Sequence, residues 1–296
     1  MSQREHASQS PPRATSWQLR TRTLTFGVRP LVMGIVNVTP DSFSDGGRYF
    51  DPSAAIEHAL QLARDGADIL DIGGESTRPY AEAVAVDDEL ERVLPVIQAV
   101  CGAVKIPVSI DTSKAEVAEA CLHAGAEIVN DITALTTDAR MFEVVRQHQP
   151  GVCIMHMQGT PQTMQDNPQY NDLVGEIDAY LAARRDALVH AGIDRARICL
   201  DPGVGFGKTH EHNRLLMANC HRFHDLGQPL LVGHSRKGFI GKLIGDSEAD
   251  RTAGTIGAAC ALAAQGVQII RVHNVRAVLE AMTLFAACGG VPTDRR

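Results

Sequence analysis

No stretch of this 296-residue chain is apolar for long enough to cross a bilayer, so a membrane-spanning protein is not expected. The opening residues, MSQREHASQSPPRATS, lack the apolar centre of a signal peptide. Their polar, Pro- and Ser-bearing composition reads as a disordered tail over residues 1–16. The seven cysteines (101, 121, 153, 199, 220, 260 and 288) form no CxxC pair, and most lie in apolar runs. That implies buried free thiols, a reducing compartment and a cytoplasmic protein. Positive charge is in deficit: 28 Lys and Arg stand against 35 Asp and Glu, a formal charge of −7. The deficit argues against a nucleic-acid surface and requires any anion site to gather its cations locally. Aromatic residues are few, 4% with one Trp, within an apolar share of 44%. That share is ample for one large core, here expected over residues 17–290.

The chain is organised around Leu31–Gly47, LVMGIVNVTPDSFSDGG. Leu31 to Val36 is apolar on successive residues, which suits a strand buried on both faces of a parallel sheet. At Asn37 the run stops, and Pro40, Gly46 and Gly47 mark a loop. Seven later runs repeat the design, near 68–72, 106–110, 126–129, 152–155, 198–200, 229–232 and 267–270. Each ends on a polar group and most are followed by helical periodicity. Trp17–Gly27 alternates loosely, as a short hairpin before the first strand would. Asp51-Pro52 reads as a helix start, with Ile56, Ala59, Leu60 and Ala63 on one face and Gly66 as the stop. Asp87 is expected to cap the next helix, whose stripe is Leu90, Val93, Leu94 and Ile97, kinked at Pro95. Ser113 and Glu116 have capping-box spacing. Helical stretches are expected near 140–148, 172–190 and 277–287.

Eight strands alternating with helices over about 250 residues is the count and length of a (β/α)8 TIM barrel, an α/β fold in a single domain. A doubly wound open sheet would show a Gly-rich fingerprint after the first strand, and none is present. In a barrel the C-terminal strand ends share one rim, and here they carry Asn37, Thr77, Arg78, Asp111, Asn130, Asp201, Lys237, Arg271 and His273. These fall into two chemical groups. Asp111, Asn130 and Asp201 match a flat heterocycle with a donor-rich edge, because buried carboxylates are costly without donors or a cation. Arg78, Lys237, Arg271 and His273, with Asn37 and Thr77, are what a phosphate-type leaving group needs. A Mg2+ ion would keep most of its waters and take oxygen from Asn37 and the phosphates.

Other patterns carry less. Gly203–Thr209, GVGFGKT, has P-loop residues at the wrong spacing, since Pro202 stands where the first glycine is required. Its glycines allow a tight turn beside Asp201. His210, His212, His221 and His224 lie on a polar helix start and show no convergence with Cys or carboxylate. Asp87, Asp88, Glu89, Glu91 and Arg92 read as a solvated helix face.

The segments MGIVNVTPDSFSDGG, DIGGESTRP, SIDTSK, IVNDI, MHMQGTP, DPGVGFGK, SRK and RVHNV together resemble the dihydropteroate synthase family, from about Leu31 to Met282. The resemblance implies a barrel, commonly dimeric, that joins para-aminobenzoate to 6-hydroxymethyl-7,8-dihydropterin pyrophosphate and releases pyrophosphate with Mg2+. It implies that Asp111, Asn130, Asp201, Lys237 and Arg271 hold the pterin, Lys237 and Arg271 being the catalytic pair. Thr77, Arg271 and His273 would bind pyrophosphate, and Asn37 the Mg2+. Phe43, Arg78, Pro79 and Gly238 would surround the aminobenzoate. Two positions depart from the family pattern: Tyr80 stands where Gly is usual, and Gly238 where Ser is frequent. A pterin-binding methyltransferase and a non-catalytic pterin-binding paralogue are the alternatives. The first would show methyl transfer without pyrophosphate release, the second an altered first loop.

Overall fold

The computed structural model describes residues 13–39 and 52–291. Two short strands come first, β1 (Ser16–Gln18) and β2 (Thr23–Thr25), paired as an antiparallel hairpin. Strand β3 (Leu31–Asn37) then opens the alternation, followed by α1 (Pro52–Arg64), β4 (Ile69–Gly73), α2 (Val86–Ala103) and β5 (Val108–Asp111). The middle of the chain supplies α3 (Ala115–His123), β6 (Ile128–Asp131), α4 (Met141–His148), β7 (Gly151–Met155), α5 (Leu173–His190) and β8 (Ile198–Asp201). The last part is α6 (His210–Ala218), β9 (Leu231–Gly233), α7 (Gly238–Ile244), α8 (Thr252–Ala264), β10 (Ile269–Val272) and α9 (Val275–Ala287).

All eight strands from β3 to β10 are parallel, in the order β8-β7-β6-β5-β4-β3-β10-β9. The ring is completed by a parallel bridge between Leu200 and Leu230, where the Leu200 amide donates to Pro229 O at 2.9 Å. This is the expected (β/α)8 barrel.

Side chains alternate across each strand, so residues two apart share a face. Val32, Leu70, Ile110, Val129, Ile154, Leu200, Val232 and Ile270 face outward and pack with the helices in one buried cluster. Met33, Ile69, Ile128, Cys153, Cys199, Leu231 and Ile269 face inward and form a second cluster with Trp17 and Leu19. Moving two residues toward the C-terminal ends turns that inner layer polar, through Asp71, Asn130, Asp201 and Arg271. The apolar plug is thus the floor of a charged chamber.

The expected hairpin closes the barrel from below. Trp17 is fully buried and its indole N–H donates to Arg197 O at 2.7 Å. Arg197 donates in turn to Leu19 O at 2.7 Å. Gly151 makes room for the plug: a Cβ there would lie 2.5 Å from the Leu19 side chain and 3.1 Å from the Trp17 ring. The hairpin is tied to the base of β6 by Thr21 and Arg22, both 2.6 Å from the Glu127 carboxylate.

Several local expectations are corrected. Ordered structure reaches further toward the N-terminus than residue 17. Gln268 donates to Ala14 O at 3.1 Å and the Phe26 amide to Thr15 O at 2.9 Å, while Ser16 already belongs to β1. Asp87 is no cap, because α2 starts one residue earlier, after Ala85. Ser113 and Glu116 form no capping box; the Ala115 amide donates to Asp138 at 2.8 Å, a cap supplied from 23 residues away. Glu89 is fully buried rather than solvated, paired with Lys114. The expected cap Asp51 and the loop residue Phe43 lie outside the described residues.

Replacing Trp17 with Ala removes the plug and its buried hydrogen bond, and it should destabilise the protein by about 3–5 kcal/mol. Urea unfolding followed by far-ultraviolet circular dichroism measures this. An unchanged midpoint would mean that the hairpin merely rests on the barrel.

Candidate active site

The inner polar layer is assembled by strand register. Asp71 on β4 lies opposite Ile35 on one side and Ser109 on the other, and Asp111 on β5 lies opposite Asn130 on β6. Asp71 is fully buried, and its Oδ2 accepts from Asn130 Nδ2 at 3.0 Å and Arg271 Nε at 2.5 Å. Arg271 Nη2 reaches Asp111 Oδ2 at 2.7 Å. The guanidinium therefore bridges two carboxylates. Burial pushes the Asp111 carboxyl up to about 7, Arg271 opposing and the neighbouring Asp71 charge reinforcing the shift. Arg271 is itself held above its ordinary value by the two aspartates, which outweigh burial.

Asp201, at the end of β8, is almost fully buried and accepts from the Gly203 amide at 2.7 Å. Burial raises its carboxyl, while Lys237, the Gly203 N–H, Lys208 and Arg271 act against the rise. Lys237 extends from the N-terminus of α7 toward the turn after β8. Its Nζ donates to Val204 O and lies 4.6 Å from the centre of the Phe206 ring. Burial lowers the Lys237 amine to about 8, with Asp201 opposing.

A second group surrounds His273, just past β10. The Ser235 hydroxyl lies 2.9 Å from His273 Nδ1 and accepts from the His273 amide at 3.3 Å. With that hydroxyl donating, Nε2 carries the ring proton. Burial lowers the His273 imidazole to about 4, and the charges of Arg236, Arg271 and Arg78 add to the effect. His273 is thus neutral at pH 7, in the positive field of three arginines.

The loop after β4 is fixed at its base and exposed at its tip. Lys114 donates to Glu75 at 2.7 Å and also pairs with the buried Glu89, and Glu75 accepts from the Val84 amide at 2.9 Å. Thr77 is half-buried, whereas Arg78, Pro79 and Tyr80 are exposed. Tyr80 adopts φ 63°, a conformation costly for a bulky residue. It is held there by its amide donating to Pro161 O at 3.3 Å and its hydroxyl to Asp166 at 3.0 Å. Asn37 is exposed at the end of β3. Gly238 starts α7, and a Cβ there would meet only His210 Cε1 at 3.6 Å, so packing does not exclude a side chain.

The structure therefore brings Asp111, Asn130, Asp201, Lys237 and Arg271 into one chamber, with His273 beside it. Thr77, Arg78, Pro79, Gly238 and Asn37 lie on its border. Arg271 stands at the end of β10 as expected and in addition bridges Asp71 and Asp111, a pairing the sequence did not reveal. Asp71 was missed, although a carboxylate in the middle of the apolar run 68–72 is itself a signal. Ser235, Arg236 and Phe206 were also missed as site groups. Among the described residues, no cluster of three or more His, Cys, Asp or Glu could hold a metal ion by itself.

Comparison with known proteins agrees with this chamber. Residues 33–273 match the family described as pterin binding enzyme. A dihydropteroate synthase of Synechocystis is 46% identical over 256 residues, 86% of this chain and 89% of that one. A Yersinia pestis dihydropteroate synthase solved in a sulfonamide drug complex superposes with a TM-score of 0.86 at 42% identity, covering 93% of this chain and all of the other. The Xanthomonas albilineans synthase in complex with 7,8-dihydropteroate gives 0.83 at 42%, covering 94% and 100%. The chain belongs to the pterin-binding enzymes and, among them, to the dihydropteroate synthase family.

Removing the central guanidinium leaves two buried carboxylates facing each other. Breaking a buried pair from one side typically costs about 3–5 kcal/mol, so Arg271→Ala should lose roughly that much stability at pH 8. A carboxyl whose folded pKa lies above its unfolded value costs stability as pH rises, so the loss should shrink toward pH 5. Lys237→Ala should be far milder. Thermal melts at both pH values measure this, and an equal effect of the two substitutions would place Arg271 outside the structural network.

Proposed function

We propose that this chamber performs the dihydropteroate synthase reaction with the residue roles that its geometry favours. The observation that carries the reading is the convergence of Asp111, Asn130 and Asp201 beside Lys237 and Arg271, on an apolar floor, with His273 and Ser235 adjacent. A pterin presents a flat ring with a guanidine-like donor edge. Asp111 and Asp201 accept from that edge, Asn130 and Lys237 serve its remaining polar atoms, and Arg271 lies over its face. The neutral His273 imidazole, Arg271 and Thr77 bind the pyrophosphate.

In the reaction the carbon–oxygen bond to pyrophosphate breaks, the electron pair leaving with the phosphate. The amine of para-aminobenzoate supplies its lone pair to the exposed methylene carbon and then loses a proton. The amine is neutral at pH 7, so positioning and charge stabilisation suffice without a strong base. Arg78, Pro79 and Gly238 form the aminobenzoate side; Phe43, expected there from the resemblance, lies outside the described residues. The helix that opens at Gly238 leaves space where a larger residue would stand, so the carboxylate is met by main-chain groups and Arg78.

Asn37 offers one exposed amide oxygen, which suits a Mg2+ ion that arrives with the pyrophosphate and keeps most of its waters. Such an ion would neutralise phosphate charge. No helix among the described residues is long and apolar enough to cross a membrane. A cytoplasmic location and a homodimer complete the proposal, the first resting on seven free cysteines and the second on the family resemblance.

The direct experiment is pyrophosphate release with both substrates; methyl transfer without release would overturn the assignment. Asp111→Asn and Asp201→Asn should each weaken pterin binding by roughly 2–3 kcal/mol, the worth of one charge-assisted hydrogen bond to a buried donor. In the unaltered protein, pterin affinity should fall as pH drops through about 7, where Asp111 takes up a proton. Asp111→Asn should abolish that limb. Calorimetry from pH 5.5 to 8.5 tests both statements, and unchanged affinity in the two variants would remove the trio from the pterin pocket.

The exposed tip of the loop after β4 buries little by itself, so the aminobenzoate side should form only when pterin and pyrophosphate give Arg78 something to close upon. A sulfonamide should therefore bind weakly to the free protein and at least tenfold more tightly with pterin, pyrophosphate and Mg2+ present. Equal affinity in the two titrations would mean a preformed slot. Loss of the enhancement in chelator would tie the metal to closure.

A further inference from the structure

Lys208 is the most deeply buried cation of the described chain, 2% exposed. It follows the glycine-rich turn after β8, whose P-loop likeness fails on spacing. Its amine meets only neutral acceptors: His156 Nδ1 at 3.0 Å, Phe206 O at 2.9 Å and His156 O at 3.4 Å. Burial, with the Lys208 charge adding, keeps the His156 ring neutral, at about 3. Its Nδ1 is therefore free to accept, with the ring proton on Nε2. Burial lowers the Lys208 amine to about 7, with Asp201 opposing and Lys237 adding, so the group is a cation below that pH. A buried ammonium with three neutral acceptors is expensive unless a carboxylate nearby benefits from it. That carboxylate is Asp201, on which Lys237, Lys208 and Arg271 act together against burial.

The turn itself is pressed against the end of β7. Gly203 has φ +72°, and a Cβ there would lie 1.9 Å from His156 O. Asn213 braces the turn by accepting from the Gly205 amide at 2.6 Å and donating to Thr209 O at 2.9 Å. Gln165 and Tyr170 each donate to it at 2.8 Å, on Gly205 O and Gly207 O. Phe206 is the shared member: its carbonyl accepts from Lys208 while its ring lies against Lys237.

We propose that Lys208 is a positioning residue of the pterin pocket, pinning the Phe206 turn to His156 and placing a second buried positive charge beside Asp201. The inference rests on the reading that Asp201 and Lys237 hold the pterin. Lys208 acts through those two residues and touches no substrate. The groups facing Asp201 include Lys237 from α7, Lys208 and the Gly203 N–H from its own turn, and Arg271 from β10, itself bridged to Asp71 and Asp111. They also include the thiols of Cys153 on β7, kept protonated by its hydrogen bond with Cys199 and by burial, and of Cys220, kept protonated by burial. Without Lys208, Asp201 would keep its proton to a higher pH and present one acceptor fewer to the ligand.

The test is calorimetric titration of the full-length protein and of Lys208→Met with the pterin substrate across pH 5.5–8.5, together with steady-state kinetics. Lys208→Met should raise the pterin Kd and KM roughly tenfold near pH 6.5, where the Lys208 amine is charged, with kcat at saturation changed much less. With Asp201 losing one of the charges that oppose its protonation, the pH below which pterin affinity falls should move upward. His156→Phe, which removes the acceptor but keeps bulk, should reproduce part of both effects, and His156→Gln should recover most of the loss. If Lys208→Met does not fold, the two His156 variants carry the test. A lower melting temperature with unchanged pterin affinity and unchanged pH limb would overturn the proposal, leaving Lys208 as a core staple. An unaltered protein that binds no pterin would instead overturn the functional reading beneath it.

Discussion

One guanidinium set between two aspartates is the constraint on which this site depends. Asp71 is fully buried and Asp111 largely so, and Arg271 pairs with both. Asp201 stands in the same relation to Lys237 and Lys208. Three carboxylates are thus opposed by three cations within one chamber, although the chain as a whole carries a charge of −7. The local balance lets acid groups remain available as acceptors where burial alone would protonate them. Beside the chamber the His273 imidazole stays neutral, a second proton disfavoured by burial and by Arg236, Arg271 and Arg78.

Much of this was legible in the sequence because a barrel converts sequence periodicity into depth. Eight apolar runs ending on polar residues marked the strands to within a few residues, and their ends named the rim. The inward face follows from counting in twos: Ile69 to Asp71, Ile128 to Asn130, Cys199 to Asp201, Ile269 to Arg271. What stayed illegible depends on contacts between distant segments. The cap of α3 comes from Asp138, which no local pattern reveals. Glu89 reads as one more exposed acid in a charged run until Lys114, 25 residues away, covers it. Arg271 reads as a rim cation because nothing nearby in sequence shows that Asp71 and Asp111 flank it.

The border of the chamber is divided between stiff and yielding parts. The turn after β8 is held by Lys208, Asn213, Gln165 and Tyr170, and its left-handed Gly203 and Gly207 press against the main chain of His156 and Gln158, just past β7. The loop after β4 is stiff only at its base, where Lys114 joins Glu75 and Glu89. At its tip Tyr80 holds a left-handed conformation against two modest hydrogen bonds. In the proposed reaction the pterin would lie against the first part, and the aminobenzoate, arriving afterwards, would meet the second.

The hairpin beneath the barrel also bears on how the chain reaches this form. The Trp17–Arg197 hydrogen bond joins residues 180 positions apart. During synthesis from the N-terminus, β1 and β2 exist long before the strand that receives them. The hairpin therefore has no floor to close until β8 has formed, and its single tryptophan waits in water while five other barrel strands assemble. Contacts of such separation form late and slow the final step of folding. Trp17 is the single tryptophan and is fully buried, so its fluorescence reports the seating of the hairpin beneath the barrel.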